Sequence, residues 1–224
     1  MIQKTFQGVG EIPGEIEQLF SPRGQFREFL MMYQGAVKEV KTKFEILNDD
    51  LSVTYNRNPI EAIKSRIKTP ESIVNKMKRK GLDINMSSLM YYIEDVAGIR
   101  VICSFIDDIY EVANMLVCQD DVKLLSVKDY IKNPKPNGYR SYHMIIEIPV
   151  FFADTKRDMR VEIQFRTIAM DFWASLEHKM KYKKNVADAK LIECELRECA
   201  DIIAETDIRM QKINNLISET HNEV

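Results

Sequence analysis

A chain of 224 residues with 45% hydrophobic side chains can bury one full-sized core with a helical extension, and leaves little for a second independent domain. Its formal charge of -2 excludes a general nucleic-acid-binding polycation, so any anion site must be local. The opening MIQKTFQGVGEIPGEIEQ lacks the apolar run of a signal peptide, and no apolar stretch reaches membrane-spanning length, so a soluble cytoplasmic protein is expected. Cys103, Cys118, Cys194 and Cys199 form no CxxC pair, and the three histidines stand far apart, which suggests neither a disulfide framework nor a zinc site.

In chain order, Phe26, Phe29, Leu30, Tyr33, Val37, Val40, Phe44 and Leu47 recur at helical steps and predict a long amphipathic helix packed on a core or a partner. A second helix is expected after Pro70, with Ile73 and Met77 inward. GIRVICSF alternates Ile99, Val101 and Cys103 against Arg100, Ile102 and Ser104, as a strand covered on both faces does. DDIYEVANMLV follows as a helix with Asp107 or Asp108 at its N-cap. VKLLSVKDYI, YRSYHMIIEIPVFF and DMRVEIQFRT read as strands, the last two antiparallel neighbours across the polar link Ala153–Asp158. The helical pattern returns from Ile168 to Lys181 and from Val186 to about Ile217. The expected fold class is α+β: a single mixed or antiparallel central sheet of about five strands flanked by helices.

Four features could carry chemistry. KSRIKTPESIVNKMKRK sets Lys64, Arg66, Lys68, Lys76, Lys78, Arg79 and Lys80 against the single acid Glu71. Such a run usually forms the solvated face of a helix. The alternative is a polyphosphate cradle, in which Arg66, Lys68, Ser72 and the free N–H groups of a helix start grip phosphates. In DMRVEIQFRT the period of two puts Arg160, Glu162, Gln164 and Arg166 on the face opposite Met159, Val161, Ile163 and Phe165. That face is either solvated or presents a general base between a cation and an amide. Asp95, just before a strand, is a turn residue or a carboxylate ligand. NPKPNGYRSYH, residues 133 to 143, is a hairpin entrance or a binding turn with an aromatic ring and an imidazole. Together they supply what phosphoryl-type transfer needs: carboxylates for Mg²⁺, cations, a base and a stacking ring.

RIKTPESIVNKM, EDVAGIRVICSF, DYIKNPKPNGYRSYH and VEIQFRTIAMDFWASLEHKMKYK, in that order, resemble the synthetase domain of the RelA/SpoT family, makers of ppGpp and pppGpp. Within it the chain resembles the small stand-alone synthetases of the RelQ type, with a nucleotidyltransferase-like core over residues 55–184. The resemblance implies that residues 1–54 are an N-terminal helical segment and residues 185–224 a C-terminal helical extension at an oligomer interface. The family's hydrolase needs a His-Asp metal motif. Here the histidines are followed by Met144, Lys179 and Asn222, so neither hydrolysis nor the regulatory half of the long enzymes is expected.

The resemblance implies transfer of the β,γ-pyrophosphate of ATP to the 3′-hydroxyl of GDP or GTP. Arg66 and Arg100 would sandwich the adenine, and Lys68, Ser72 and Lys76 would bind its phosphates. Asp95 and Glu162 would hold Mg²⁺, with Glu162 also the base. Tyr139 would stack on the guanine, Lys128 and Lys135 would contact acceptor phosphates, and Asn137 and His143 would position the guanosine. Gln164 and Arg166 would line the acceptor side, and Ala174 matches a position near the guanine edge. Pro136, where many relatives have a less rigid residue, stiffens the loop. The family further implies a homotetramer, with an alarmone or single-stranded RNA as possible regulators in a central cleft. The first helix carries Lys38, Lys41 and Lys43 but also Glu39 and Glu45, which argues against a basic cleft. Two other readings are a catalytically silent RNA- or nucleotide-binding module, disfavoured by the Asp95 and Glu162 pair, and an oligonucleotide-making nucleotidyltransferase, whose Gly-Ser turn and D-x-D strand are missing.

Overall fold

The apolar steps of the N-terminal third form one helix of 32 residues, α1 (Gly24–Tyr55). The computed structural model describes residues 24–181 and 189–222. After α1 come β1 (Ile60–Ile67), α2 (Pro70–Arg79), α3 (Met86–Tyr92), β2 (Ala97–Cys103), α4 (Ile106–Val117), β3 (Lys123–Asp129), β4 (Tyr142–Phe151), β5 (Lys156–Thr167), α5 (Ile168–Lys181) and α6 (Ala189–Asn222). The strands make one sheet in the order β1-β2-β5-β4-β3, parallel between β2 and β5 and antiparallel elsewhere. The expected single mixed α+β sheet is what forms.

The core lies on one face of that sheet. Phe29, Tyr33, Ala36, Val40 and Phe44 of α1 and Ile109, Val112 and Leu116 of α4 pack with Ile99 and Val101 of β2 and Val161, Ile163 and Phe165 of β5. Phe44 meets Phe165 edge-on at 5.7 Å between ring centroids. The apolar stripe of α1 is thus spent inside its own chain, so this helix belongs to the core. Lys41 pairs with Glu45 at 3.3 Å and Lys43 with Asp121 at 2.7 Å, which leaves little basic surface along it. Of the expected C-terminal helix, residues 186–188 lie outside the described residues.

Two elements were not foreseen. In β1 a bulge between Ile60 and Ala62 breaks the alternation, and as an edge strand it buries only Ile60. The helix α3 spans just 7 residues and buries only Leu89. Two boundaries also move. The N-cap of α4 is Phe105, with Asp108 inside the first turn accepting a hydrogen bond from the Phe105 N–H at 3.1 Å. The link between β4 and β5 is shorter than expected and closes with Phe152 N–H on the Thr155 carbonyl at 2.8 Å, so Lys156 to Asp158 already belong to β5.

Helix α2 starts as the sequence suggests, with Ile73, Val74 and Met77 buried. Its N-cap is Thr69, whose oxygen accepts from the Ser72 N–H at 3.3 Å. A Thr69→Ala variant is therefore expected to lose about 1 kcal/mol of stability, read as a fall in Tm of about 2–4 °C.

Candidate active site

Register on the polar face of the sheet brings distant residues into rows. Lys64 on β1 pairs with Arg100 on β2, Arg100 with Gln164 on β5, Gln164 with His143 on β4, and His143 with Lys128 on β3. The next row runs Arg66, Gly98, Glu162, Ile145 and Ser126. Because side chains two apart share a face, both rows point the same way. The alternation seen in DMRVEIQFRT is therefore the floor of a site, with cations at both ends and a carboxylate near its middle.

At the β1–β2 side the floor is open. Arg66, Gly98 and Arg100, with Lys64 and Gln164, line a cleft of about 360 Å³ including its mouth. A Cβ on Gly98 would meet Arg66 only at ordinary contact distance, 3.7 Å, so the missing side chain leaves a slot between the two arginines. Beside it, Asp95 sits between α3 and β2, where Lys68 bonds its Oδ2 and Lys76 approaches the same oxygen at 2.7 Å. Burial alone would raise the pKa of Asp95, but the two lysines hold it below the ordinary carboxylate value. Its Oδ1 is buried without a hydrogen-bond partner. Ser72 is exposed and its hydroxyl accepts from Thr69 at 2.9 Å. The start of α2 is thus partly capped from within, and the expected grip by free N–H groups is narrower than the sequence suggests.

Glu162 is half-buried. Gln164 Nε2 donates to its Oε2 at 2.9 Å, and His143 Nδ1 lies 3.7 Å from its Oε1. Burial pushes its pKa up, yet His143 and Gln164 outweigh burial and the like charge of Asp95, so the carboxyl sits below the usual range. An ionised carboxylate held in this way can accept a proton or hold a cation.

On the other side of Glu162 the turn at residues 135–138 is closed by Gly138 N–H on the Lys135 carbonyl at 2.8 Å, with Pro136 second and Gly138 at φ +86. Tyr139 leaves it and bonds His143 Nε2 at 2.9 Å through its hydroxyl. Tyr130, missed in the sequence, stands edge-on to His143 at 5.2 Å and to Tyr139 at 6.1 Å, completing a box of rings. Lys135 Nζ lies over both tyrosines, 4.7 Å and 4.9 Å from their centroids. Asn137 works within the turn: its amide donates to Glu177 at 3.0 Å, and its oxygen accepts from the Tyr139 N–H at 3.3 Å.

Asp171, the first-turn acid of α5, was also missed. It accepts from Lys64 at 2.8 Å, Arg100 at 3.1 Å and Arg166 at 2.9 Å. Arg166 is only 5% exposed and donates to the Tyr139 hydroxyl at 2.9 Å, so it supports Tyr139 from below. Ala174 is buried with Trp173 and Ala200 in a cluster against which Tyr139 packs, one layer beneath the ring. Lys128 is exposed at the far end of its row.

Residues 65–187 match the model of the region found in RelA / SpoT proteins. The chain is 49% identical over 181 residues to the GTP pyrophosphokinase YwaC of Bacillus subtilis, covering 81% of this chain and 86% of that protein. The chain belongs to the RelA/SpoT family. Its fold matches the crystal structure of small alarmone synthetase 2 from Bacillus subtilis with a TM-score of 0.76 at 46% identity, over 85% of this chain and 98% of that one. Small alarmone synthetase 1 from the same organism, bound to its product pppGpp, matches with a TM-score of 0.78 at 32% identity, over 87% and 98%. The RelA/SpoT region takes in every candidate side chain from Arg66 to Ala174, whereas α1 and α6 lie outside it.

Proposed function

We propose that this chain is a GTP pyrophosphokinase, a (p)ppGpp synthetase that moves the β,γ-pyrophosphate of ATP to the 3′-oxygen of GDP or GTP and releases AMP. The observation that carries the reading is the position of Glu162, between the Arg66–Arg100 slot on one side and the Tyr139–His143 box on the other. A transfer between two nucleotides needs a base at that midpoint, reachable from both. The names of the relatives, a pyrophosphokinase and two alarmone synthetases, one of them product-bound, point the same way.

In this reading adenine enters the slot over Gly98, stacked between guanidinium planes. Lys68 and Lys76 take the triphosphate. Lys135 leaves the Tyr139 ring, which frees the ring for guanine and the ammonium for acceptor phosphates, to which Lys128 also lends its charge. Glu162 accepts the proton of the 3′-hydroxyl, the oxygen attacks the β-phosphorus, the bond from the α-phosphate oxygen to the β-phosphorus breaks, and AMP departs. His143 and Gln164 keep Glu162 ionised and aimed.

The residues fit Mg²⁺. Among the described residues no group of three or more His, Cys, Asp or Glu is placed to hold a metal, but Mg²⁺ commonly takes one or two carboxylates and completes its oxygen shell with phosphates and water. The orphaned, buried Oδ1 of Asp95 and the carboxylate of Glu162 are the two. When bound there, Mg²⁺ would offset the charge that builds on the transferring phosphates.

We also retain a cytoplasmic, homotetrameric enzyme with a synthetase core over residues 55–184. Among the described residues no helix is long and apolar enough to cross a membrane. Ile168, Phe172, Leu176 and Met180 form an exposed apolar stripe along α5, and Ile202, Met210 and Ile213 extend apolar surface on α6, which supports contacts between copies. With α1 turned inward, these two helices are the better interface.

The assay is purified protein with Mg²⁺, [γ-³²P]ATP and GMP, GDP or GTP in turn, resolved by thin-layer chromatography. A labelled guanosine tetra- or pentaphosphate is expected, and no labelled product with any acceptor would leave a nucleotide- or RNA-binding module. Gly98→Leu, which fills the slot, is expected to raise KM for ATP by roughly tenfold or more while KM for the acceptor stays within about twofold.

A further inference from the structure

The C-terminal helix begins beyond the RelA/SpoT region, yet it is built into the loop on which the acceptor would sit. Gly138 presses so closely on α6 that an added Cβ would lie 2.4 Å from the Ala200 Cβ and 3.2 Å from Arg197 Cδ. Arg197 Nη1 donates to the Pro136 carbonyl at 2.8 Å, and its Nε donates to Asp201 at 3.0 Å, which fixes the direction of the guanidinium. From α5, Trp173 Nε1 donates to the Leu196 carbonyl at 2.9 Å, pinning this stretch of α6 under Tyr139.

We propose that Arg197 is a positioning residue for the guanosine acceptor, which makes α6 part of the acceptor subsite. The inference rests on the function proposed above. Pro136 and Gly138 are the second and fourth residues of the turn that carries Lys135, Asn137 and Tyr139. Holding the Pro136 carbonyl from one side while Gly138 abuts Ala200 fixes the turn before any ligand arrives. A loop ordered in advance does not charge its entropy to the binding step, so the clamp acts on acceptor affinity. The side chains assigned to ATP hang from β1, α2, the link between them and β2, and an α6 defect should not reach them.

The test uses the full chain. Arg197→Ala is expected to raise KM for GDP roughly tenfold, the effect of one charge-assisted hydrogen bond that orders a loop. KM for ATP and kcat should stay within about twofold, and Arg197→Lys, which can still donate to a carbonyl, should recover part of the loss. Equal rises for both substrates, or no change, would overturn the proposal. Equilibrium dialysis of GDP against parent and Arg197→Ala protein decides the matter even if the parent transfers nothing. A roughly tenfold weaker GDP affinity then supports the clamp while the reaction assignment falls, and equal affinities remove the clamp.

Discussion

A Glu162→Gln enzyme is expected to transfer pyrophosphate roughly 10³-fold more slowly than the parent, within the range that a positioned general base contributes. Glutamine keeps the shape and can still bond Gln164, so binding of ATP and of GDP, measured separately by dialysis, should change by no more than about threefold. The loss belongs in kcat. A variant that loses nucleotide affinity and keeps kcat would move the base elsewhere and leave Glu162 a binding residue. The pH profile is a second check. Burial and Asp95 act to raise the Glu162 pKa, but His143 and Gln164 prevail and the folded value lies below the ordinary one. A base with a lowered pKa is ionised throughout the neutral and mildly acidic range and loses function only as pH falls through that lowered value. The parent's kcat/KM should therefore stay flat on its acid side down to the carboxylate range. An acid limb near neutrality would assign the proton to another group.

How far the sequence could be read depends on where the information sits. The β5 run was legible because alternation is local: Glu162, Gln164 and Arg166 had to share a face whatever stood beside them. The helix after Pro70 and the cysteine-bearing strand β2 were legible for the same reason. The edge strand β1 was not, since it faces the core at one residue and carries a bulge, and α3 was not, since one buried leucine sets no period. The site divides in the same way. Arg66, Lys68, Asp95, Arg100 and Tyr139 were assigned through family resemblance, and only the strand register shows that Lys64, Arg100, Gln164, His143 and Lys128 form one row. Asp171 and Tyr130 gave no local signal. Asp171 is one acid among Phe172, Trp173 and Ala174, and its partner Lys64 lies 107 residues away. Arg166 was placed on the right face, but its depth, and hence its role beneath Tyr139, came only with α5 packed over it.

That hidden acid carries the second large expectation. Asp171→Asn leaves Arg100, Arg166 and Lys64 facing one another without their shared counter-charge. Arg166 is almost fully enclosed, so its loss of a partner cannot be made good by water. Removing one member of a buried ion pair costs about 3–5 kcal/mol. With Lys64 largely exposed and able to turn to solvent, the lower end, about 3 kcal/mol, is expected for Asp171→Asn, a fall in Tm of roughly 6–12 °C. Lys64→Met, by contrast, should cost under about 1 kcal/mol, as for other exposed pairs. Activity should fall with both substrates. Arg100 lines the slot assigned to adenine and Arg166 supports the ring assigned to guanine, so one carboxylate holds the donor and acceptor sides in a common frame. A drop in kcat/KM of roughly 10² is expected for ATP and for GDP alike, from geometry lost at both ends. Acid titration separates this from a general loss of packing. Burial opposes the ionised form of Asp171, but Lys64, Arg100 and Arg166 hold its folded pKa below the ordinary value. Its contribution is thus present at all pH values above the unfolded carboxylate pKa and disappears as pH falls through the lower folded one. The stability gap between parent and Asp171→Asn should accordingly be constant from neutral pH to about 5 and narrow only in stronger acid. A gap that persists unchanged into that acid range would mean that the asparagine disturbs packing and that the charge of Asp171 is not what holds the two arginines.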